Sequence, residues 1–279
     1  MAIDKSLIHQ PQVWQLVVEV TPGDLRCMAF CPLEERSLMT QTVVPENTDD
    51  PVKDIENAIY DTPGLLLDYG RVTVLWRTER FVPMPGFVSD PDVAREIFNR
   101  EYSGDTPPNG AEFLHDSWPG MAIRLEYAVD RSLAAFMRRT FNNPRMLHAL
   151  TPPALWFAPA PGRRGRGKIL ANLTATDMDI YVMGDDAPLL INSYFCPDIN
   201  DALYYVLAVR EALGITPDKE MLLAGDSARR VRLSQELRRF VRYVMPAIFP
   251  AEMFRAGREV LSAPFEVAIA PVVATGPSL

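Results

Sequence analysis

The chain has 279 residues, of which 48% are hydrophobic and 23% charged, and it carries a formal net charge of −8. These values are typical of a globular protein with a sizeable core, and they exclude a chain that is disordered throughout. The negative charge argues against a general affinity for nucleic acid or an anionic membrane, since both require a positive surface. No run approaches 18 consecutive apolar residues, the first residues lack the apolar centre of a signal peptide, and three cysteines form no disulfide framework. We therefore expect a cytoplasmic protein.

The first part of the chain predicts three strands, one helix and a fourth strand. The turn Thr21-Pro22-Gly23-Asp24 separates the first two strands with residues that favour tight reversals. The helix, at 51–60, follows a polar stretch suited to capping and carries Val52, Ile55 and Ile59 on one face. The predicted strands cover residues 13–20, 25–31, 37–44 and 71–76.

The same order of elements returns about 150 residues later. A helix capped by Asn200 and stopped by Gly214 again follows three strands and precedes a fourth. The predicted strands cover residues 168–174, 178–183, 188–196 and 220–224. Two β-β-β-α-β blocks in one chain predict an internal duplication rather than a solenoid, because the period is far too long for a solenoid repeat.

The remaining chain predicts three helices, two further strands and a linker. The helices are expected at 91–102, 130–140 and 227–241, and the strands at 121–128 and 265–273. The helix at 227–241 carries Leu233, Leu237, Phe240 and Val241 on its expected buried face. The segment 159–167 is rich in Pro, Gly and Arg and has no periodicity, which is typical of a linker. The predicted organisation is therefore a first half at 1–158 with inserted helices, a linker at 159–167 and a second half at 168–279.

Short sequences in the second half carry a resemblance to a known family. They are Lys168–Asn172, Met178–Val182, Leu189–Ser193, Asp201–Tyr205 and Leu222–Asp226. Over about residues 165–257 the chain is similar to an uncharacterised Bacteroidetes family with an actin-like ATPase fold and no assigned function, and the duplicated block resembles the actin, sugar-kinase and heat-shock-chaperone superfold. The resemblance implies an α/β fold of two actin-like (ribonuclease-H-like) subdomains, each a mixed sheet, with a cleft between them. It also implies a bacterial cytoplasmic setting and supplies no catalytic residues.

In that superfold two β-hairpins hold the phosphates and the metal, and each needs an Asp at the end of its first strand and glycines in its turn. In the first half Glu19 stands near the Asp position, and Pro22 removes one backbone donor. In the second half Asn172 replaces the carboxylate, and the turn at 173–177 contains no glycine. Both hairpins therefore predict weak phosphate binding or none.

One element of a nucleotide site persists after the fourth strand of the second half, where a glycine pair would face the adenosine. Here Gly225 is one glycine of that pair, and Ser227 follows it. Gly225 and Ser227 are therefore weak candidates for residual nucleotide binding. The alternative is that Gly225 ends a strand and Ser227 caps the next helix. No other cofactor is predicted.

Other kinds of site are not indicated. The three histidines are scattered, Cys27 and Cys31 fit a core strand, and no cluster offers the ligands of a zinc site. We therefore predict neither catalytic nor metal-binding residues.

The arginines of the 227–241 helix form a positive strip in an otherwise acidic protein. Such a strip is suited to docking an acidic protein or an RNA backbone. Arg229, Arg232 and Arg239 are the candidates for partner binding, and the alternative is a solvated helix whose arginines pair with nearby acids. The residues as a whole favour a non-catalytic binding or assembly protein with a protein partner. The alternatives are an ATP-dependent enzyme or switch of the same fold, and an RNA-associated factor.

Overall fold

The structure is a computed structural model that describes residues 3–103, 110–118, 120–158, 167–185 and 187–273. These residues form thirteen strands, eight helices and four short 3-10 turns. The strands are β1 (Gln15–Val20), β2 (Leu25–Phe30), β3 (Met39–Val43), β4 (Arg71–Trp76), β5 (Phe81–Pro85), β6 (Ala111–Trp118), β7 (Ile123–Asp130), β8 (Arg145–His148), β9 (Lys168–Leu173), β10 (Asp177–Met183), β11 (Pro188–Phe195), β12 (Met221–Gly225) and β13 (Val244–Pro246). The helices are α1 (Pro51–Tyr60), α2 (Pro91–Glu101), α3 (Arg131–Thr140), α4 (Thr151–Phe157), α5 (Ile199–Ala212), α6 (Ser227–Leu237), α7 (Ala251–Ala256) and α8 (Phe265–Val273).

The chain divides into two compact units. The first consists of Met1–Ser117, Arg124–Pro153 and Phe249–Leu279, and the second of Trp118–Ile123 and Ala154–Ile248. The segment from Phe249 onward therefore groups with the first unit, whereas the sequence placed it with the second half. Most of the expected linker, 159–166, lies outside the described residues. No helix in the described part of the chain is long and apolar enough to cross a membrane.

The first unit is built on a five-stranded mixed sheet in the order β3-β2-β1-β4-β8. β2 is antiparallel to β1 and β3, whereas β4 is parallel to β1 and β8 is parallel to β4. One face of this sheet, including Val17 and Met28, packs against Val267 and Ala268 of α8 in a buried apolar cluster.

The second unit repeats this plan in the order β11-β10-β9-β12-β13, with the same strand directions. Val20 pairs with Trp76 in the first sheet, as Leu173 pairs with Gly225 in the second. Just beyond these pairs, the N–H of Arg77 donates to Val20 at 2.9 Å, and that of Asp226 donates to Leu173 at 2.8 Å. This shared register confirms the predicted duplication and gives each residue near the strand ends a counterpart in the other unit.

The units differ in how the chain continues beyond the fourth strand. In the second unit β12 leads directly into α6, which is capped by the side chain of Asp226. In the first unit the insertion at 77–129 comes before the corresponding helix, α3, which Asp130 caps in the same way. The insertion contains α2 and forms a three-stranded sheet in the order β5-β7-β6.

Several predicted elements are confirmed and others are wrong. The helix at 51–60 and the strand at 71–76 are confirmed residue for residue. The helix begins at Pro51, because Asp50 caps it and proline is favoured at the first helical position. The strand predicted at 265–273 is wrong, because the segment is helix α8. A short, largely buried apolar run does not distinguish a strand from a helix. Helix α5 is capped by Asp198 rather than Asn200, and the helix predicted at 227–241 ends at Leu237.

Candidate functional site

The hairpin between β1 and β2 uses its backbone donors within its own turn. The hydroxyl of Thr21 accepts the N–H groups of Gly23 at 3.2 Å and Asp24 at 2.9 Å. The N–H of Thr21 donates to the carbonyl oxygen of Asp24 at 3.0 Å, and Pro22 has no N–H. The four residues of the turn therefore present no backbone donor to a phosphate group.

The hairpin between β9 and β10 closes its turn with two of the same hydrogen bonds. The hydroxyl of Thr174 accepts the N–H of Asp177 at 3.0 Å, and the N–H of Thr174 donates to the carbonyl oxygen of Asp177 at 2.9 Å. Thr-x-x-Asp is thus a repeated turn motif, written TPGD at 21–24 and TATD at 174–177. Our sequence interpretation missed this repeat, although its letters are visible once the two turns are aligned.

The strand-end carboxyl of the first unit is locked into a buried charge cluster. Glu19 is fully buried and lies between Arg77, at 2.8 Å, and Arg26, at 3.5 Å, while Arg77 also pairs with the buried Glu266 of α8. Burial and then the carboxylate of Glu266 raise the pKa of Glu19 to about 8, against the lowering effect of Arg77 and Arg26. A buried carboxyl whose oxygens are already paired with two arginines is poorly suited to hold a metal ion.

The equivalent position in the second unit carries a neutral side chain. Asn172 is fully buried and donates to Asp179 of β10 at 3.5 Å. The hydroxyl of Ser193 on β11 donates to the other oxygen of Asp179 at 2.8 Å. The pair Glu19–Arg26 in the first sheet thus corresponds to the pair Asn172–Asp179 in the second.

A cavity of about 870 Å³ opens in the first unit beside the Thr21 turn. This size is in the range of small-molecule and peptide side-chain sites. Its walls come from the β1–β2 turn, the start of α1, the segment after β4 and the start of α3. Its charged lining residues are Asp49, Asp50, Glu79 and Asp130 on the acidic side and Arg77 and Arg80 on the basic side. The cavity is therefore richer in negative than in positive groups, which disfavours a polyphosphate.

A buried polar network supports one wall of this cavity. The Nε2 of His148 lies 3.0 Å from the carbonyl oxygen of Thr78, and its Nδ1 accepts the N–H of Leu150, so the ring is the neutral Nε2–H tautomer. Burial lowers the pKa of His148 to about 3. Asp116 accepts hydrogen bonds from the His148 N–H at 2.8 Å and from Thr151, while burial raises its pKa to about 7. The network fixes the backbone at Thr78, which lines the cavity.

The weak nucleotide candidates take up structural positions. Gly225 ends β12 with φ +83°, and a Cβ there would lie 1.9 Å from the carbonyl oxygen of Leu173, so only glycine fits. Ser227 is the first residue of α6, but Asp226 caps the helix by accepting the N–H of Arg229 at 2.8 Å. The expectation that Ser227 is the cap is wrong, and the assignment of nucleotide binding to these two residues stays a prediction.

The three candidate arginines of the segment 227–241 have different surroundings. Arg229 is half-buried and donates to the carbonyl oxygens of Thr174, at 2.7 Å, and of Cys196. Arg239 lies beyond the end of the helix, is exposed and pairs with Glu236 at 2.9 Å. Arg232 is exposed on the helix surface. The structure therefore does not bring the three side chains together in one exposed strip, and Arg229 is committed to its own unit.

In the described part of the chain, no group of three or more His, Cys, Asp or Glu side chains is placed to hold a metal ion. Cys27, Cys31 and Cys196 are buried free thiols. Burial raises the pKa of Cys196, which suits a packing role rather than a nucleophilic one.

Comparison with solved structures defines the class. The chain is similar to a Bacteroides thetaiotaomicron protein with an actin-like ATPase fold and unknown function, at 18% identity and a TM-score of 0.70, over 89% of this chain and 94% of that one. It is also similar to a chain of the PilM–PilN type IV pilus biogenesis complex, at 13% identity and a TM-score of 0.53, over 95% of this chain and 100% of that one. The protein thus has the actin-like fold, and the predicted fold class is confirmed.

The family follows from the sequence. The chain belongs to the family described as "Protein of unknown function (DUF3822)", which matches residues 4–244. No curated protein matches the sequence significantly. Together with the Bacteroides structure, this membership confirms the expected resemblance to an actin-like family without an assigned function.

Proposed function

We propose that this chain is a cytoplasmic, non-catalytic binding protein that uses an actin-like fold to hold a protein partner. The observation that carries the proposal is the Thr-x-x-Asp turn of each unit, in which the threonine hydroxyl accepts the backbone N–H of the aspartate. In a nucleotide-hydrolysing protein of this fold such donors would face the phosphates. Here they complete the turn itself.

The charged groups near the turns support the same conclusion. Asp24 already pairs with Arg26 at 3.0 Å, and Glu19 is buried between two arginines. The acidic side chains that line the neighbouring cavity would repel the phosphates of ATP. A protein partner suits the fold, since the similar PilM–PilN structure is a complex of two proteins.

The alternative is an ATP-dependent enzyme or switch, which the size and position of the cavity beside the β1–β2 turn favour. Phosphate release from Mg-ATP separates the two functions. We expect the purified chain to release no phosphate above the rate without protein. Steady turnover that is abolished by Glu19→Gln or Asn172→Ala, two variants at the strand-end positions, would overturn the proposal.

A further inference from the structure

In the second unit, an arginine of the chain itself lies beside the Thr-x-x-Asp turn. Arg229, the third residue of α6, reaches back to this turn and donates to the carbonyl oxygens of Thr174, at 2.7 Å, and Asp177, at 3.4 Å. Its other terminal nitrogen donates to the carbonyl oxygen of Cys196, just after β11. A single guanidinium therefore ties together the turn and the end of the third strand.

The first unit has the same turn and the same helix start without the arginine. Asp130 caps α3 by accepting the N–H of Leu133 at 3.0 Å, just as Asp226 accepts the N–H of Arg229 at 2.8 Å. Leu133 is thus the counterpart of Arg229. Leu133 and Thr21 both line the 870 Å³ cavity, so space opens where the second unit holds a guanidinium.

The charges of the cavity suit a cation. Arg77 is already paired with two buried carboxyls, those of Glu19 and Glu266. Arg80 lines the cavity as well, but four acids line it against two arginines. Asp50 and Asp130 cap helices, and Asp49 and Glu79 are exposed acids that do not. The remaining walls include the apolar residues Val52, Ile55 and Trp76. A ligand that complements these walls carries one positive, planar donor group beside apolar side chains.

We propose that this cavity receives an arginine side chain, flanked by apolar residues, from the partner protein. The guanidinium then occupies the place beside Thr21 that Arg229 occupies beside Thr174, and the apolar neighbours lie against Val52, Ile55 and Trp76. The inference rests on the proposed binding function and names the chemistry of the partner segment.

The test uses a tripeptide, acetyl-Leu-Arg-Leu-amide, and its isosteric neutral analogue with citrulline in place of arginine. Calorimetry on the full chain should give a Kd on the order of 0.1–1 mM for the arginine peptide, as expected for a short ligand. The citrulline peptide should bind about tenfold more weakly or worse, because its side chain lacks the charge. No saturable binding of the arginine peptide up to about 10 mM, or equal binding of the two peptides, would overturn the inference.

Two sets of variants locate the binding. Leu133→Arg supplies the guanidinium from within and should abolish peptide binding, whereas Val93→Arg, which adds the same charge on the exposed face of α2, should leave it unchanged. If Leu133→Arg does not fold, Asp49→Asn with Glu79→Gln carries the test, and it should weaken binding about tenfold by removing two charges. Glu34→Gln with Glu35→Gln is its exposed control.

Binding that persists at full strength in a folded Leu133→Arg protein, or in the Asp49/Glu79 variant, would also overturn the site. These outcomes are distinct from failure of the proposed function, which appears as ATP turnover in the separate phosphate assay.

Discussion

The two sheets share their strand order and register but differ in how the chain continues after the fourth strand. The second unit enters α6 at once, and its third helical residue, Arg229, binds the carbonyl oxygens of the turn. The first unit inserts a small sheet and a helix before α3, and places Leu133 where the arginine would be. The same fold therefore accommodates an arginine beside the turn in one unit and a leucine beside a cavity in the other. Strand register and apolar packing define the fold, whereas a few polar side chains define a site.

The largest loss of stability is expected from truncating the buried apolar side chains of the two corresponding helices, α3 and α6. Leu233 of α6 and Met137 of α3 lie one turn after the Arg229 and Leu133 positions, and both are fully buried. Truncation of either to Ala should lower the free energy of unfolding by about 2–5 kcal/mol, as measured by urea titration. Phe240→Ala is the control. Because that side chain is 49% exposed, we expect a loss of under about 1 kcal/mol.

That control also corrects an expectation from the sequence. The periodicity of residues 227–241 placed Phe240 on the buried face of a longer helix. The helix ends at Leu237, so the spacing no longer applies to Phe240. A loss for Phe240→Ala as large as that for Leu233→Ala would contradict the observed helix end.

Arg229→Met should lower the stability of the second unit by about 2–3 kcal/mol. The substitution keeps an apolar stem but removes the charged donor from three carbonyl oxygens. Arg232→Met, on the exposed surface of the same helix, should change the melting temperature little. Equal melting temperatures of the two variants would mean that Arg229 does not hold the turn, and the comparison with the open cavity would lose its basis.

The two turns should respond alike to loss of their hydroxyl groups. Thr21→Val and Thr174→Val each remove the acceptor of a backbone N–H and should cost about 1–2 kcal/mol. We expect the larger loss for Thr21→Val, because Gly23 also donates to the Thr21 hydroxyl. Chemical denaturation of both variants checks the order, and a reversed order would show that the two turns are not equivalent.

The last prediction concerns pH and separates Glu19 from its neutral counterpart Asn172. The pKa of Glu19 is raised from 4.5 to about 8 in the folded state, so between these values the folded chain binds a proton that the unfolded chain has released. Its contribution to stability is therefore complete below pH 4.5 and is lost as the pH rises through 8. Relative to Glu19→Gln, the wild-type chain should become less stable over this interval in melting curves. A difference that stays flat, or grows in the opposite direction, would contradict the shift.

Much of the fold could be predicted from local signals. Polar residues before the helices and the spacing of apolar residues predicted the helix at 51–60 and the two β-β-β-α-β blocks, because these features act over a few residues. Strands β5, β6, β8 and β13 were missed, and with β5 and β6 the small sheet of the insertion. The half-polar sequence of β6, AEFLHDSW, has no clear apolar alternation.

The site was harder to predict, because its contacts join distant parts of the chain. Arg229 looked like an exposed docking residue, yet its acceptors Cys196 and Thr174 are 33 and 55 positions away. In the sequence, Glu19 stands near the position of an expected aspartate. Only the folded structure shows that it pairs with Arg77, which also pairs with Glu266. Weak phosphate binding or none at the two turns stays a prediction, and the threonine hydroxyl that accepts the N–H of each turn aspartate was not predicted.

The most direct test of the account is an NMR titration of the folded chain with Mg-ATP that follows the amide signals of Gly23, Asp24 and Asp177. These N–H groups donate to Thr21 and Thr174 in the structure. The account predicts that their signals do not move in a saturable way as the nucleotide concentration rises. Saturable shifts of these three amides with increasing Mg-ATP would mean that the turns bind phosphate, and they would contradict the proposal that this protein with an actin-like fold is non-catalytic.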